Sequence, residues 1–481
     1  LAKAYTIDQS LRFDDGDSDY LSRTQTAGNR KTWTWSCWAK RCLFGNTQDL
    51  FGTASEGDGL RWYGAASNLN FLLNGSGSGW LVTDAEYRDV SAWYHIVVAF
   101  DTTESVDSDR IKLWVNGVQQ TDFSGSNYPA EDSEFKINQS GEVFYIGRGH
   151  GEANILDCYL AEIYFIDGTA YDADDFGETD SETNQWKPID ASGLTFGTNG
   201  FYLKFEDSAD LGNDSSGEGN DYTVTNLAAT DQVLDSPTNN FMTINSLAGG
   251  NGSGGGQTLS EGNLQDAFQV DDSGIGCTFQ LPSSGKWYWE WYNNVQYNTN
   301  FLGIYAPDIC SPSDSNPADE GFWVVSSTNG SMYGGGGIAS YGSGWGTVDN
   351  IIGLAADMDN GALYLATNNT WDDSGDPESG ASKTGAGATD LVSSGYDWVP
   401  MLKTHNPGGA AKLNLNAGQD SSFAGSKTAQ GNTDANGIGD FYYAPPSGYL
   451  ALCTRNLPDP EIKLPGDNFN TVLYTGDGAT T

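Results

Sequence analysis

The chain has 481 residues, with 64 acidic and 22 basic side chains and a formal net charge of −42. So negative a surface repels phosphate backbones and anionic lipids, so nucleic-acid binding is not expected, and no apolar run approaches the ~18 residues that a membrane span needs. Its 62 glycines and 60 aromatic residues (15 Trp, 24 Tyr, 21 Phe), with no helical period, predict an all-β chain of roughly two to four domains.

The first predicted feature is an acidic turn between two short edge strands, over residues 11–23. Asp15, Asp17 and Asp19 supply the hard oxygen ligands that calcium prefers. Tyr20 stands where an EF-hand loop needs glycine, however, and the closing bidentate acid is missing. A calcium site and a solvated turn both stay open here, and no other cofactor is expected.

Two hairpins over residues 91–120 dominate the next part of the chain. Residues 93–100 are apolar at nearly every position, which predicts a strand buried between two sheets. Residues 110–115 alternate between two faces and end at Asn116-Gly117, the strongest short signal for a tight hairpin. This succession is typical of an antiparallel sandwich.

The order of these segments resembles a laminin-G or concanavalin A-like jelly roll over residues 11–177. The matching segments are TWTWSCWAK (32–40), AWYHIVVAFD (92–101), RIKLWVNGV (110–118), VFYIGR (143–148) and DCYLAEIYFID (157–167). Residues 172–176 stand where that family often has a short helical turn. The resemblance implies a first β-sandwich domain which, with its connector, covers residues 1–230.

The connector itself, residues 200–241, resembles a segment of virion structural proteins of marine bacteriophages, notably those of cyanobacterial hosts. The resemblance implies a tail fibre, spike or capsid appendage in an extracellular particle assembled in the host cytoplasm. Its expected partners are other virion proteins and further copies of the chain, with a trimer favoured.

A second domain is predicted over residues 231–456, and its segments resemble the SPRY (B30.2) sandwich. The segments are GKWYWEWY (285–292), FLGIY (301–305), the hairpin at 350–368, WVPML (398–402) and LNLNAG (413–418), the last without the usual phenylalanine. The glycine-rich residues 248–256 are interpreted as a surface loop within it. Residues 457–481 are expected to run extended toward a further domain or subunit. The predicted fold is two consecutive antiparallel β-sandwiches.

Catalysis finds little support in the sequence. Glycosidases of the concanavalin-like fold carry acids that face one cleft, whereas Glu162 and Asp167 fall on opposite faces of an ideal strand. His95 lies in mid-strand, which favours a structural histidine. The glycine runs 254–256 and 334–337 lack the lysine of a phosphate loop. Burial as small hydrophobes is expected for the cysteines, with a Cys37–Cys42 bridge as the alternative.

Binding through loops at the rim of the scaffold is the favoured function. Glycans are recognised by flat rings with carboxylate or amide side chains, although such rings also pack sandwich rims. The predicted contacts are Trp62, Tyr63, Trp80, Asp84, Tyr87, Tyr333, Tyr341, Trp345, Trp371 and Asp372. We therefore expect a non-enzymatic virion protein that attaches to a host-surface glycan or protein. The alternatives are a purely architectural decoration protein and a polysaccharide hydrolase.

Overall fold

The computed structural model describes residues 5–55, 57–64, 66–73, 78–149, 154–250, 257–268, 273–297, 299–405, 411–460, 462–464 and 469. Within them the chain is all-β, with strands and short 3-10 turns but no α-helix. None of the described segments forms a helix with the length and apolarity that a membrane crossing requires. The predicted fold class, two antiparallel β-sandwiches, is confirmed.

The strands are numbered in chain order. Strands β1 to β18 are Ser10–Phe13, Tyr20–Thr24, Thr32–Arg41, Gln48–Thr53, Gly59–Tyr63, Asn68–Leu73, Gly79–Glu86, Trp93–Asp101, Ile111–Val115, Val118–Gln119, Phe123–Asn127, Val143–Ile146, Cys158–Asp167, Gly177–Thr179, Trp186–Pro188, Phe201–Leu203, Thr223–Thr225 and Gln232–Val233. Strands β19 to β33 are Ile244–Gly250, Gln257–Ser260, Gln265–Phe268, Gly274–Cys277, Lys286–Val295, Thr299–Tyr305, Phe322–Ser326, Met332–Gly334, Gly337–Ala339, Ile351–Asp357, Ala362–Thr367, Thr370–Trp371, Val399–His405, Ala411–Asn416 and Leu450–Ala451. The 3-10 turns are Asp107–Asp109, Ala173–Asp175, Ala229–Asp231, Asp372–Ser374 and Gly380–Ser382.

The first sandwich packs two eight-stranded sheets face to face. One sheet has the order β10-β9-β8-β3-β13-β1-β18, with β16 also on β13, and the other has β11-β7-β6-β5-β4-β12-β2-β17. Between them lies an aromatic core in which Trp33 stacks on Phe100 with ring centroids 4.9 Å apart. The expectation that β1 and β2 are edge strands is wrong. Each has a neighbour on both sides, because β17 and β18 return from the connector to cover them.

The hairpin between β9 and β10 forms where the sequence predicts it. Asn116 and Gly117 both adopt positive φ, as the primed hairpin turns require. A Cβ on Gly117 would lie 2.4 Å from the ring of Trp186, so this position also needs glycine for a close approach.

One face of strand β8 packs against the opposing eight-stranded sheet and the other against a largely irregular layer, which corrects the prediction that two sheets of the sandwich enclose it. Its inner residues join the sandwich core, while Val97 and Ala99 face an outer cluster with Phe176 and Phe196. The covering layer is segment 168–202, which includes the expected short helical turn at Ala173–Asp175 and the small two-stranded sheet β14-β15. This layer explains why β8 is apolar on both faces.

The second sandwich has the same two-layer architecture with different wiring. Its sheets have the orders β19-β22-β31-β24-β25-β26-β27 and β20-β21-β32-β23-β28-β29-β30, and β33 pairs with β23 in parallel. Trp287, Trp289 and Trp291 of β23 point into the core together, as their alternation predicts. Of the glycine-rich residues 248–256, predicted as a surface loop, 248–250 form the end of β19, and 251–256 lie outside the described residues, as does most of the segment 457–481 beyond 464.

A buried lysine connects the two sandwiches. Lys40, at the end of β3, donates from Nζ to Asp235 Oδ2 at 2.6 Å, Asn240 Oδ1 at 2.7 Å and the Phe241 carbonyl at 3.1 Å. The other carboxylate oxygen of Asp235 accepts from Trp93 Nε1 at 3.1 Å. Both charged side chains are at most 1% exposed. All three ammonium donors are thus used inside the protein.

A buried arginine makes the second ionic connection. The Arg12 guanidinium, on β1, lies 2.9 Å from Asp231, 3.0 Å from Glu261 and 3.4 Å from Asp420. Close by, the Tyr159 hydroxyl donates to the Gly262 carbonyl at 2.6 Å. Segments far apart in the sequence therefore meet around one cation.

Removing the Lys40 ammonium tests the first connection. We expect Lys40→Met to lower the free energy of unfolding by about 3–5 kcal/mol, because Asp235 then stays buried without its partner. Urea denaturation followed by tryptophan fluorescence measures the loss. Lys187→Met is the control, since Lys187 pairs with Glu178 and Asp180 at the surface and should change nothing measurable. Equal effects of the two substitutions would contradict the assignment.

The acids around Arg12 predict a pH dependence. Burial, with the nearby Asp14 and Asp231, raises the pKa of Glu261 to about 7 despite the Arg12 contact. Burial likewise raises the pKa of Asp19 to about 7. A carboxyl whose pKa is raised on folding stabilises the fold. This contribution is complete below the unfolded pKa of about 4.3 or lower, and it is lost as the pH rises through about 7.

We therefore expect the free energy of unfolding to fall as the pH rises from about 4 to about 7, by up to about 1.4 kcal/mol per pH unit for each group. Glu261→Gln cannot titrate and should flatten the profile. Urea denaturation of the unmodified protein and of Glu261→Gln is measured across this pH range. The contributions of the other acids are the same in both proteins and cancel in the difference. Parallel profiles would show that Glu261 does not carry a raised pKa.

Candidate functional site

Four of the predicted ligand contacts pack the sandwich cores instead of the surface. Trp62 and Trp345 have no exposed surface, and Tyr87 and Tyr341 are each 7% exposed. The Trp345 indole donates to the Val325 carbonyl at 3.0 Å. These rings stabilise the cores and offer no face to a ligand. The loop-like composition around them does not reveal in which direction each ring points, so the sequence could not distinguish core rings from surface rings.

The remaining predicted contacts have accessible surface. Tyr63 is 47% exposed, Asp84 is exposed, and Trp80 and Tyr333 are half-buried. Trp371, beside Asp372, lines a surface cavity of about 350 Å³ together with Asn369, Asp376 and Glu378. These residues are spread over both sandwiches, so ligand binding by any of them stays a prediction.

The acidic turn between β1 and β2 is partly used within the fold. Asp14 is buried and accepts from the backbone N–H groups of Gly16 at 2.7 Å and Glu261 at 2.5 Å. Asp19 is 3% exposed and accepts from the Asp14 N–H, whereas Asp15 and Asp17 are exposed. Among the described residues no three acidic, histidine or cysteine side chains are arranged to hold a metal ion. Calcium binding by Asp15, Asp17 and Asp19 stays a prediction.

His95 and Ser36 form a buried pair that resembles a nucleophile and its base. Ser36 Oγ lies 2.9 Å from His95 Nε2, and Trp186 Nε1 lies 3.0 Å from His95 Nδ1. An indole N–H only donates, so Nδ1 accepts and the neutral ring carries its proton on Nε2. Burial lowers the pKa of His95 to about 3. The ring therefore donates to Ser36 and cannot take its proton.

Glu162 and Asp167, the acids of the hydrolase alternative, are occupied by the protein itself. A bulge in β13 gives Glu162 a φ of +50°, and its carboxylate accepts from the hydroxyls of Tyr5, Tyr164 and Tyr202. Asp167 accepts from the backbone N–H groups of Asn29 and Asn199, and from the Asn138 side chain. Glu162 is 4% exposed and Asp167 9%. Both carboxylates hold loops and rings in place.

The six cysteines carry free thiols, so the alternative of a Cys37–Cys42 bridge is wrong. Cys37 points into the core of the first sandwich, while Cys42 belongs to a separate cluster with Trp38 and Tyr159. Burial raises the pKa of both thiols. They behave as small buried hydrophobes, as expected.

A cavity of about 610 Å³ lies on the outer face of the first sandwich, and we call it the acidic cleft. Strands β3, β8 and β9 form its floor, and the loops 102–110 and 168–175 form its walls. Its principal lining side chains are Asp101, Glu104, Asp109, Lys112, Trp114, Tyr171, Asp172 and Asp175. Five carboxylates, one ammonium and two rings thus face one cavity.

Local hydrogen bonds fix the walls of the acidic cleft. Asp101 Oδ1 accepts from the Thr103 N–H at 2.9 Å and Asp109 pairs with Lys112 at 3.2 Å. Asp172 caps the 3-10 turn by accepting from the Asp174 N–H, and Asp175 accepts from the Asp172 N–H. Burial and the neighbouring Asp172 raise the pKa of Asp175. Each of the bonds named here uses one oxygen of its carboxylate, and the second oxygen can accept a hydrogen bond from a ligand.

Sequence reasoning missed this cleft, although two signals for it existed. Trp114 alternates outward from β9, away from the sandwich core, and the acidic segment at 172–175 follows the last strand of the matched region. Whether Trp114 and the acidic segment come together depends on how segment 168–202 folds back over the sheet. The periodicity of the sequence does not show this.

Comparisons with known proteins agree with the first sandwich. Residues 15–174, which include nearly all of the acidic cleft, match the sequence profile of the concanavalin A-like lectin/glucanases superfamily. The first domain is therefore concanavalin A-like, as the resemblance implied. Comparison with curated proteins finds no match.

Three solved structures are similar to parts of the chain. A candidate carbohydrate-binding protein of Bacteroides ovatus is 16% identical, over 47% of this chain and 61% of its own length, with a TM-score of 0.33. The SPRY domain of human HERC1 is 12% identical over 36% of this chain and 96% of its own, with a TM-score of 0.24. The heptameric SAP-like pentraxin of Limulus polyphemus is 16% identical over 35% and 80%, with a TM-score of 0.26.

The hydrogen bonds from three tyrosine hydroxyls to the Glu162 carboxylate lead to a prediction about stability. Glu162→Gln replaces one accepting oxygen with an amide that points donors at hydroxyls, so we expect a loss of about 1–3 kcal/mol in the free energy of unfolding. Chemical denaturation measures it, with the exposed Glu206→Gln as control. An unchanged midpoint for Glu162→Gln would mean that the hydroxyls do not depend on the carboxylate.

Proposed function

We propose that the chain is a non-enzymatic structural protein that binds a glycan in the acidic cleft. The observation that carries the proposal is the cleft itself, where the half-buried ring of Tyr171 lies among carboxylates within the concanavalin A-like domain. Flat rings cover the apolar face of a pyranose, and carboxylates accept from its hydroxyls. A cavity of about 610 Å³ also has the size of ordinary small-ligand sites.

The charge of the cleft narrows the class of glycan. Asp101, Glu104, Asp109, Asp172 and Asp175 stand against Lys112 alone, on a chain that carries −42 overall. Uronic acids, sialic acids and phosphorylated sugars would meet repulsion there. We therefore propose neutral or amino-bearing glycans as ligands.

The setting that we propose is a bacteriophage virion, in which the chain forms part of a tail fibre, spike or capsid appendage. Support comes from the connector, residues 200–241, with its resemblance to phage virion proteins. Two rigid sandwiches with surface clefts suit attachment to a host-surface glycan or protein. The proposed partners are other virion proteins and further copies of this chain, with a trimer favoured.

The absence of catalysis is part of the proposal. The hydrolase alternative depends on Glu162 and Asp167, whose oxygens already accept three hydrogen bonds each. A purely architectural decoration protein shares the fold but would bind no glycan.

A glycan array followed by calorimetric titration of the strongest neutral ligand tests the proposal. Tyr171→Ala should weaken binding by about tenfold or more, because the half-buried ring is lost from the cleft wall. Tyr297→Ala is the matched control, since this tyrosine is 41% exposed and lies outside the cleft. Equal weakening by both, or no binding to any glycan, would contradict the proposal. Release of reducing ends from the bound glycan would revive the hydrolase alternative.

A further inference from the structure

The buried lysine that connects the two sandwiches also contacts a side-chain amide with which an amine can react. Lys40 Nζ donates to Asn240 Oδ1 at 2.7 Å, and the amide carbon Cγ lies at most one C=O bond, about 1.2 Å, beyond that oxygen. Reacting atoms in near-attack geometries are about 3–3.5 Å apart. The amine and the amide carbon are therefore close enough for a reaction as well as a hydrogen bond.

The surroundings of the Lys40 ammonium are apolar. Trp93 of β8 and Tyr159 of β13 stand directly opposite Lys40 on the two neighbouring strands, and Nζ lies 5.7 Å from the centre of the Tyr159 ring. Phe241, whose carbonyl accepts the third hydrogen bond, has no exposed surface. Lys40 and Asp235 are at most 1% exposed. Both charges are costly in such a site, and the transfer of one proton between them neutralises both.

Asp235 is placed to receive that proton. Its Oδ2 atom accepts from Lys40 Nζ at 2.6 Å, while its Oδ1 atom accepts from the Trp93 indole at 3.1 Å. Burial raises the pKa of the Asp235 carboxyl, although the contacts with Lys40 and Trp93 oppose the shift. Asp235 and Asn240 both accept from the same nitrogen, so an acid–base group, an amine and an amide meet at one point.

Asn240 is fixed by its main chain and is itself only half-buried. Its backbone N–H donates to Thr454 Oγ1 at 2.9 Å, and the next residue, Phe241, bridges to Cys453. The amide Nδ2 donates to the Ser91 carbonyl. A rotation about the Cβ–Cγ bond, whose torsion is broad, gives up that last bond and turns the face of the carbonyl toward the amine. Because the residue is partly exposed, ammonia released there can reach solvent.

We propose that Lys40 and Asn240 become joined by an isopeptide bond between Nζ and Cγ, with Asp235 as the acid–base group. Asp235 takes one proton from the ammonium, and the amine lone pair then attacks Cγ and forms the new C–N bond. A second proton of the amine passes to Nδ2, the Cγ–Nδ2 bond breaks, and ammonia leaves. The first proton stays on Asp235 or leaves with the ammonia as ammonium. Atoms and charges balance without an oxidant, a reductant or a co-reactant.

The bond closes a covalent loop over 200 positions, from a central strand of the first sandwich to the segment between β18 and β19. Such a cross-link restricts the unfolded chain, as a disulfide does. Tension along the chain passes from β3 to Asn240 through the bond, so residues 41–239 are not extended. The ion pair of Lys40 with Asp235 is the arrangement from which the bond forms. The inference is independent of glycan binding.

Intact-mass spectrometry of the purified full chain tests the proposal. We expect a mass about 17 Da below that of the sequence, which is the loss of one ammonia, and a branched peptide that joins Lys40 to Asn240 after proteolysis. Asp235→Asn, which keeps the shape of the side chain, should slow bond formation by about tenfold or more. Asn240→Ala should restore the full mass while it keeps the ion pair of Lys40 with Asp235. Lys187→Met, at the surface, is the matched control and should retain the loss.

A folded, unsubstituted chain with its full mass and no branched peptide would overturn the proposal. So would a mass loss that persists in Lys40→Met, because Asn240 can also lose ammonia by closing a succinimide on its own backbone. Circular dichroism of each variant confirms that the β-structure is intact. If a variant does not fold, the branched peptide of the unsubstituted chain still decides the question, because its detection requires no substitution.

Discussion

A buried ammonium with all three donors satisfied is the constraint on which the joining of the two sandwiches depends. Lys40 belongs to the first sandwich by its place in β3, and its partners Asp235, Asn240 and Phe241 lie in the segment between β18 of the first sandwich and β19 of the second. In a nonpolar interior each charge is costly without the other, so the contact is stable only when the geometry is complete. The buried Arg12 guanidinium is paired in the same way, with three acidic side chains. The sandwiches therefore lie against each other in one arrangement.

The outer layer of the first sandwich covers one face of β8 and also lines the acidic cleft, the proposed glycan site. Strand β8 has apolar residues on both faces. Segment 168–202 covers its outer face by packing Phe176 and Phe196 over Val97. The acidic cleft lies between strands β8 and β9 and the acidic turn of this layer. His95 of β8, neutral and held between Ser36 and Trp186, lies beneath this layer and serves packing.

Features that depend on neighbours in sequence were predictable, while those that depend on distant partners were not. The Asn116-Gly117 hairpin and the three tryptophans of β23 follow from local conformation and a period of two. The burial of Trp62 and Trp345 could not be foreseen, since ring direction in short strands depends on the opposing sheet. Arg12 meets Asp420 across 408 positions, and no local pattern indicates such a pair.

Native-state hydrogen exchange, followed peptide by peptide in increasing denaturant, tests most directly whether the buried charges unite the two sandwiches. If Lys40 and Arg12 couple them, peptides from β13 in the first sandwich and from β23 in the second should lose protection with the same free energy. They should do so at separate free energies once Lys40 is replaced by methionine. Separate free energies in the unmodified chain would contradict the account.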